Sequence, residues 1–171
     1  MPDSKSPVFL IDAYSEPAVL RIEGRANYLN CTPVGPALEQ LVRQGKGSIA
    51  VDFGHCGGMD STFLGIMAGV ALALRRRDPP GELLLCRMGE RNRELVHNLG
   101  LHRIARVVEG EPQGASHDPQ HDEALESKPV THDEEARIVL QAHKNLVEAD
   151  QSNARRFEDV ITFLKNQVEE S

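Results

Sequence analysis

The stretch GGMDSTFLGIMAG, residues 57–69, decides the interpretation of the fold because three kinds of signal meet in it. Two glycines favour a tight connection, the acidic residue and two hydroxyl residues are good helix N-caps, and an almost uncharged run follows. The apolar run SIAVDF (48–53) before it is typical of a mostly buried strand. We therefore predict a strand, a glycine-rich loop and a helix over 61–77 that begins at Ser61.

The helix predicted over 61–77 is apolar nearly all round, which indicates burial on more than one side. Its small residues Gly65, Ala68 and Gly69 would let the backbone approach the sheet closely. The helix ends in three arginines, which are favourable at the negative end of the helix dipole. The breaker DPPG (78–81) terminates it.

Strands and helices also alternate on both sides of this segment. Helix-length spacers between strands favour a sheet with helices packed on it, and parallel strands wherever a helix crosses over. We therefore predict an α/β fold with a mixed sheet of about five strands in the order ββαβαβαβ. The further elements are strands at 8–13, 18–24, 82–86 and 105–110, a helix within 32–45 and a short helix within 90–104.

The C-terminal part has a different character. Residues 111–130 are rich in Pro, Gly, Ser, His and acids and predict an acidic linker after a domain at 1–110. Thr131 and Glu134 then form a capping-box pattern, which predicts that 131–171 is one long amphipathic helix or a helical hairpin broken near 150–153. Its apolar stripe must be buried on its own domain, on a twin or on a partner. The stripe is Leu140, His143, Val147, Asp150, Ala154, Phe157, Ile161, Leu164 and Val168.

Composition limits the classes of partner. Residues 1–112 carry 13 basic and 13 acidic side chains and residues 113–171 carry 6 and 13, so the net charge of −7 lies in the C-terminal part. Aromatic residues make up 4% of the 171 residues, which leaves few platforms for stacking bases. The longest apolar segment, FLGIMAGVALAL (63–74), is too short to span a bilayer. We expect neither nucleic acid nor membrane as a partner.

Catalytic and metal-binding patterns are weak. Cys31, Cys56 and Cys86 are widely spaced and predict reduced thiols in a cytoplasmic protein. His55, with Cys56, Asp60 and Ser61 nearby, invites a nucleophile-and-base hypothesis, but the G-x-S-x-G elbow is missing. The phosphate-loop pattern lacks its lysine. The remaining histidines that could suggest a metal, His117, His121 and His132, match no zinc spacing. We expect no enzyme activity, no metal and no cofactor.

The order AVLRIEG, helix, SIAVDF, MDST-x-LG, apolar helix, ELLLC and RELVHNLGLHRI resembles the STAS domain of bacterial anti-sigma factor antagonists over residues 8–110. The resemblance implies a STAS fold and a partner switch. The serine that follows the aspartate, here Ser61, would be phosphorylated by an ATP-using anti-sigma factor kinase of the HATPase type. Unphosphorylated, the domain would bind this anti-sigma factor. Phosphorylated, it would release it until a PP2C-type phosphatase resets it.

The same resemblance implies that Asp60, Ser61, Thr62 and Phe63 contact the partner. Asp60 either orients the loop or is a simple exposed cap, and Thr62 caps or packs. Phe63 stands where many members have glycine, and its ring either anchors the interface or restricts the kinase. The alternative function is a STAS scaffold or adaptor in which Ser61 only caps the helix. In that case the C-terminal helix mediates adaptor contacts or a homodimer.

Overall fold

The computed structural model describes residues 8–112 and 119–169. Helices and strands occur close to where the hydrophobic pattern predicts them. The strands are β1 (Phe9–Asp12), β2 (Ala18–Ala26), β3 (Ser48–Met59), β4 (Glu82–Cys86), β5 (Arg106–Val108) and β6 (Glu123–Ala124). The helices are α1 (Val34–Arg43), α2 (Ser61–Arg75), α3 (Glu90–Asn98), α4 (His132–Ala149), α5 (Asn153–Arg156) and α6 (Glu158–Glu169), with 3-10 turns at Leu101–Arg103 and Pro119–His121.

Within the described residues the strands form one mixed sheet in the order β5-β4-β3-β2-β1-β6. Strands β2 to β5 run parallel because a helix crosses over between each consecutive pair, whereas β1 is antiparallel to both its neighbours. The predicted α/β class is confirmed. The sixth strand was not predicted: Glu123–Ala124, within the segment predicted as a linker, pairs with Leu10 and Ile11 on β1. Two ladder pairs in a polar sequence leave no period for pattern analysis to detect.

Strand β3 is longer than predicted. The expected loop GHCGGM continues the strand as far as Met59, which pairs with Ala26 of β2. Register shifts between Arg21 and Glu23 and between Gly24 and Arg25 accommodate the glycines as irregularities in the ladder. Asp60 alone therefore connects β3 to α2, and the start of α2 is fixed directly by the C-terminal end of β3, a central strand of the sheet.

Helix α2 lies at the centre of the core. Its first turn inserts Phe63 between two other aromatic rings, with ring centroids 6.0 Å from Phe9 and 6.3 Å from Phe53. All three side chains are fully buried. Rings at these separations contribute attraction beyond the area they bury. The position of the N-terminal turn of α2 is therefore held by the packing of its third residue.

The C-terminal segment is a helical hairpin that packs on α2. Helix α4 ends at Ala149, Asp150 is extended, and α6 returns along α4, where Leu164 meets Ala136 and Leu140. The apolar stripe is buried within the chain only in part: Phe157 packs against the domain core and Leu140 packs with Leu164 between α4 and α6, while Ala154 is exposed. The expectation that Gly65 and Gly69 face the sheet is wrong: a Cβ at Gly65 would overlap the carbonyl of Ala142 on α4. No helix in the described ranges has the length and apolar character needed to cross a membrane.

Candidate functional site

Asp60 fixes the N-terminus of α2 with both of its carboxylate oxygens. Oδ1 accepts the backbone N–H of Phe63 at 3.0 Å, which is an N-cap, and Oδ2 accepts the backbone N–H of Tyr28 at 2.9 Å. The backbone N–H of Asp60 itself donates to the carbonyl of Ala26. Asp60 is thus more than an exposed cap, because it also holds the loop between β2 and α1 beside Ser61.

Ser61 is the first residue of α2, and its side chain meets the C-terminal segment. Its Oγ lies 2.9 Å from Nε2 of His143 on α4, while Nδ1 of His143 lies 2.7 Å from the carbonyl oxygen of Val139. Since a carbonyl oxygen only accepts, Nδ1 carries the proton, and in the neutral ring Nε2 accepts from the hydroxyl of Ser61. His143 is 4% exposed, whereas Ser61 is partly exposed. The hydroxyl is therefore held in one direction and covered on one side by its own chain.

The spacing of apolar residues puts His143 in a stripe on one helix face and gives no sign of this contact with Ser61. A histidine at a buried position of an amphipathic helix needs a polar partner, and that requirement was the available signal. The partner itself was not detectable, because the two residues are 82 positions apart.

Two of the predicted contact residues are corrected by their burial. Phe63 is fully buried and Thr62 is 4% exposed, so neither side chain is available to a partner in this arrangement. The core needs the phenylalanine ring between Phe9 and Phe53. The exposed apolar side chains next to the site are instead Tyr28 at 45% and Leu29 at 67%, in the loop that Asp60 holds.

Comparison of the whole structure with solved structures identifies the architecture. The anti-sigma factor antagonist SpoIIAA in its unphosphorylated form matches with a TM-score of 0.50 and 16% identity, covering 61% of this chain and 90% of that chain. The chain has the STAS fold. The Bacillus cell fate determinant SpoIIAA in the phosphorylated form matches with a TM-score of 0.50 and 18% identity, covering 61% and 92% of the two chains. No protein-family model matches the sequence, and a search of curated proteins finds no relative.

The other residues that could carry out chemistry lie apart from Ser61. His55 is exposed and pairs with Glu23 at 3.0 Å, and the Cys56 thiol donates to the carbonyl of Gly58, so neither joins Ser61. His121 lies near Asp12 and His132 bonds Gln167, while the predicted linker residue His117 falls outside the described residues. Within the described ranges, no group of three or more His, Cys, Asp or Glu side chains could hold a metal.

A buried ion cluster lies on the face of the sheet opposite α2. Asp52 is 2% exposed and accepts hydrogen bonds from Arg87 at 2.7 and 2.9 Å, from Arg21 at 3.3 Å and from the N–H of Gly54. Burial by itself raises the pKa of Asp52, but the Arg87 and Gly54 hydrogen bonds and the charges of both arginines outweigh it and lower the pKa. The backbone of Arg87 adopts the left-handed conformation, with a φ of 56°. This cluster therefore depends on Asp52 being ionised.

Proposed function

We propose that this protein is an anti-sigma factor antagonist in a bacterial partner-switching pathway, with Ser61 as its phosphorylation site. The observation that carries the proposal is that Ser61 is a partly exposed residue at a helix N-terminus, and that the residue before it is anchored at both carboxylate oxygens. The fold supports it, since the SpoIIAA neighbours are an antagonist in unphosphorylated and phosphorylated forms. Unphosphorylated, the chain would bind the anti-sigma factor kinase, and phosphorylated, it would release it.

The electrostatics of the site favour a switch in which phosphorylation weakens partner binding and does not unfold the domain. A phosphoryl group adds about −1.5 to −2 charges and three acceptor oxygens, which the positive end of α2 tolerates. The domain can therefore stay folded. In an interface, the same charge without a partner costs several kcal/mol, and each ~1.4 kcal/mol is tenfold in affinity. A loss of about two to four orders of magnitude in affinity follows.

The docking surface includes Tyr28 and Leu29 together with Asp60 and Ser61. An exposed aromatic and an exposed aliphatic side chain beside a rigid polar cap form the kind of patch that anchors an interface. They take the anchoring role that was one of the two alternatives for Phe63. The partners are an anti-sigma factor serine kinase of the HATPase type and a PP2C-type phosphatase, and the protein would act in the cytoplasm.

The second candidate is a STAS scaffold or adaptor that does not switch. The hydrogen bond between Ser61 and His143 favours it, because a serine that ties two helices together already has a structural role. A homodimer through the C-terminal helices would use Val160 and Phe163 of α6, which are 41% and 67% exposed, since the larger apolar residues of the predicted stripe on α6 pack against α4.

Intact-mass spectrometry separates the two candidates. A kinase recovered by pull-down with the unmodified chain is incubated with it and ATP. The switch predicts one added phosphoryl group, which Ser61→Ala abolishes and Ser127→Ala, a control at an exposed serine, retains. No modification of the unmodified chain, or equal modification of the Ser61→Ala chain, contradicts the switch and favours the scaffold.

A further inference from the structure

Helix α4 occupies the space that a phosphate on Ser61 would need. The 2.9 Å between Oγ of Ser61 and Nε2 of His143 is a single hydrogen-bond length, so a phosphoryl group has no room between the two atoms. A kinase must also bring its γ-phosphate in line with this oxygen. The docked helix therefore competes with the group that would be transferred.

His143 cannot move aside alone. Its Nδ1 is held by the carbonyl of Val139 one turn earlier in α4, and its ring packs edge-on against Phe157 with centroids 4.9 Å apart. A buried ring with both nitrogens bonded and one edge packed has no free rotamer to adopt. Removing the imidazole from Ser61 therefore means moving the helix that carries it.

Helix α4 is seated against α2 through its backbone. Gly65 lies against the carbonyl of Ala142, and Nδ2 of Asn145 donates to the carbonyl oxygen of Gly65 at 3.0 Å. At the far end, Nδ2 of Asn153 donates to the carbonyls of Leu99 and Leu146. Such close contacts allow a docked and an undocked arrangement rather than a gradual shift.

We propose that α4 is a gate in cis: the docked helix protects Ser61, and phosphate on Ser61 excludes the docked helix. This inference rests on the proposed function, because it assumes that Ser61 is the modified residue. It adds a regulatory step to the switch. A kinase would meet a substrate only in molecules whose α4 has left α2, and phosphorylation would hold α4 away.

Hydrogen exchange on the full chain with phosphoserine encoded genetically at position 61 tests the gate. The matched control carries phosphoserine at position 127, an exposed serine outside α2 and α4. We expect exchange in residues 132–149 to rise about tenfold or more with phosphoserine at 61, with β2 to β4 still protected and no change in the control. Unchanged α4 exchange overturns the gate, and so does equal loss of protection in α4 and the sheet.

The installed phosphate makes this result independent of any kinase. A chain whose α4 opens but which no kinase modifies would retain the gate and lose the proposed function. A chain that is modified at Ser61 while α4 keeps its protection would retain the proposed function and lose the gate.

Discussion

Oγ of Ser61 and Nε2 of His143 lie 2.9 Å apart in a hydrogen bond, although the two residues are 82 positions apart in the chain. The contact joins the first turn of α2 to the C-terminal helix packed on it. Because the imidazole is fixed by Val139 and Phe157, the hydroxyl has one preferred direction. The chemical state of Ser61 and the position of α4 are therefore linked by direct contact.

Replacing Asp60 should loosen the site by a measurable amount. Asp60→Ala removes the cap on Phe63 and the acceptor for Tyr28, and we expect a loss of about 1–2 kcal/mol in the free energy of unfolding. Urea unfolding followed by circular dichroism measures it. Asp60→Asn, which still offers one acceptor oxygen, should keep most of the cap. Equal stability of Asp60→Ala and the unmodified chain would show that the two hydrogen bonds contribute nothing.

Gly65→Ala should weaken the packing of α4 on α2. The new Cβ would overlap the Ala142 carbonyl, while alanine itself favours the helical backbone of α2. We expect about 1–3 kcal/mol of destabilisation and faster proteolysis within residues 132–149. The control is Gly35→Ala, whose Cβ would lie an ordinary 3.5 Å from Ile66. The close seating of α4 is wrong if both variants resist protease equally.

The exposed Leu29 and the buried Phe63 should behave in opposite ways. Leu29→Ala should leave the free energy of unfolding within about 0.5 kcal/mol and weaken kinase binding by about 1 kcal/mol or more. Phe63→Ala should cost about 3–5 kcal/mol of stability because it leaves a cavity beside Phe9 and Phe53. Thermal unfolding and calorimetric titration with the kinase separate the two. A Leu29→Ala chain that binds with unchanged affinity would remove the loop from the interface.

Acid should remove the stabilisation that comes from Asp52. Its folded pKa is lowered below the ordinary value of 3.8, so the contribution is complete above about pH 5 and is lost progressively as pH falls through the folded pKa. We expect unfolding free energy measured in urea to decline less steeply between pH 5 and pH 2 in Asp52→Asn than in the unmodified chain. The exposed Asp78→Asn serves as the control. Identical pH profiles for all three chains would contradict the assignment.

Local patterns predicted much of the fold and little of the site's surroundings. The apolar strand 48–53 and the cap at residue 60 follow from burial and from cap chemistry, which are local properties. The continuation of β3 through its glycines depends on β2 lying alongside it, and the burial of Phe63 depends on Phe9 and Phe53. These are tertiary effects, which override local propensity.

The C-terminal segment shows the same division. The break predicted near 150–153 is present, since poor helix formers there end α4 locally. The docking of α4 on α2, by contrast, depends on Gly65 of α2, and the pairing of His143 with Ser61 depends on that docking. A single sequence contains no local signal for such a pair.

The most direct test of the central claim is calorimetric titration of the kinase with the full chain carrying serine or phosphoserine at position 61. We predict that the phosphoserine chain binds at least about a hundredfold more weakly, because its charge enters the interface without a partner. Equal affinity of the two chains would contradict the claim that Ser61 controls the partner.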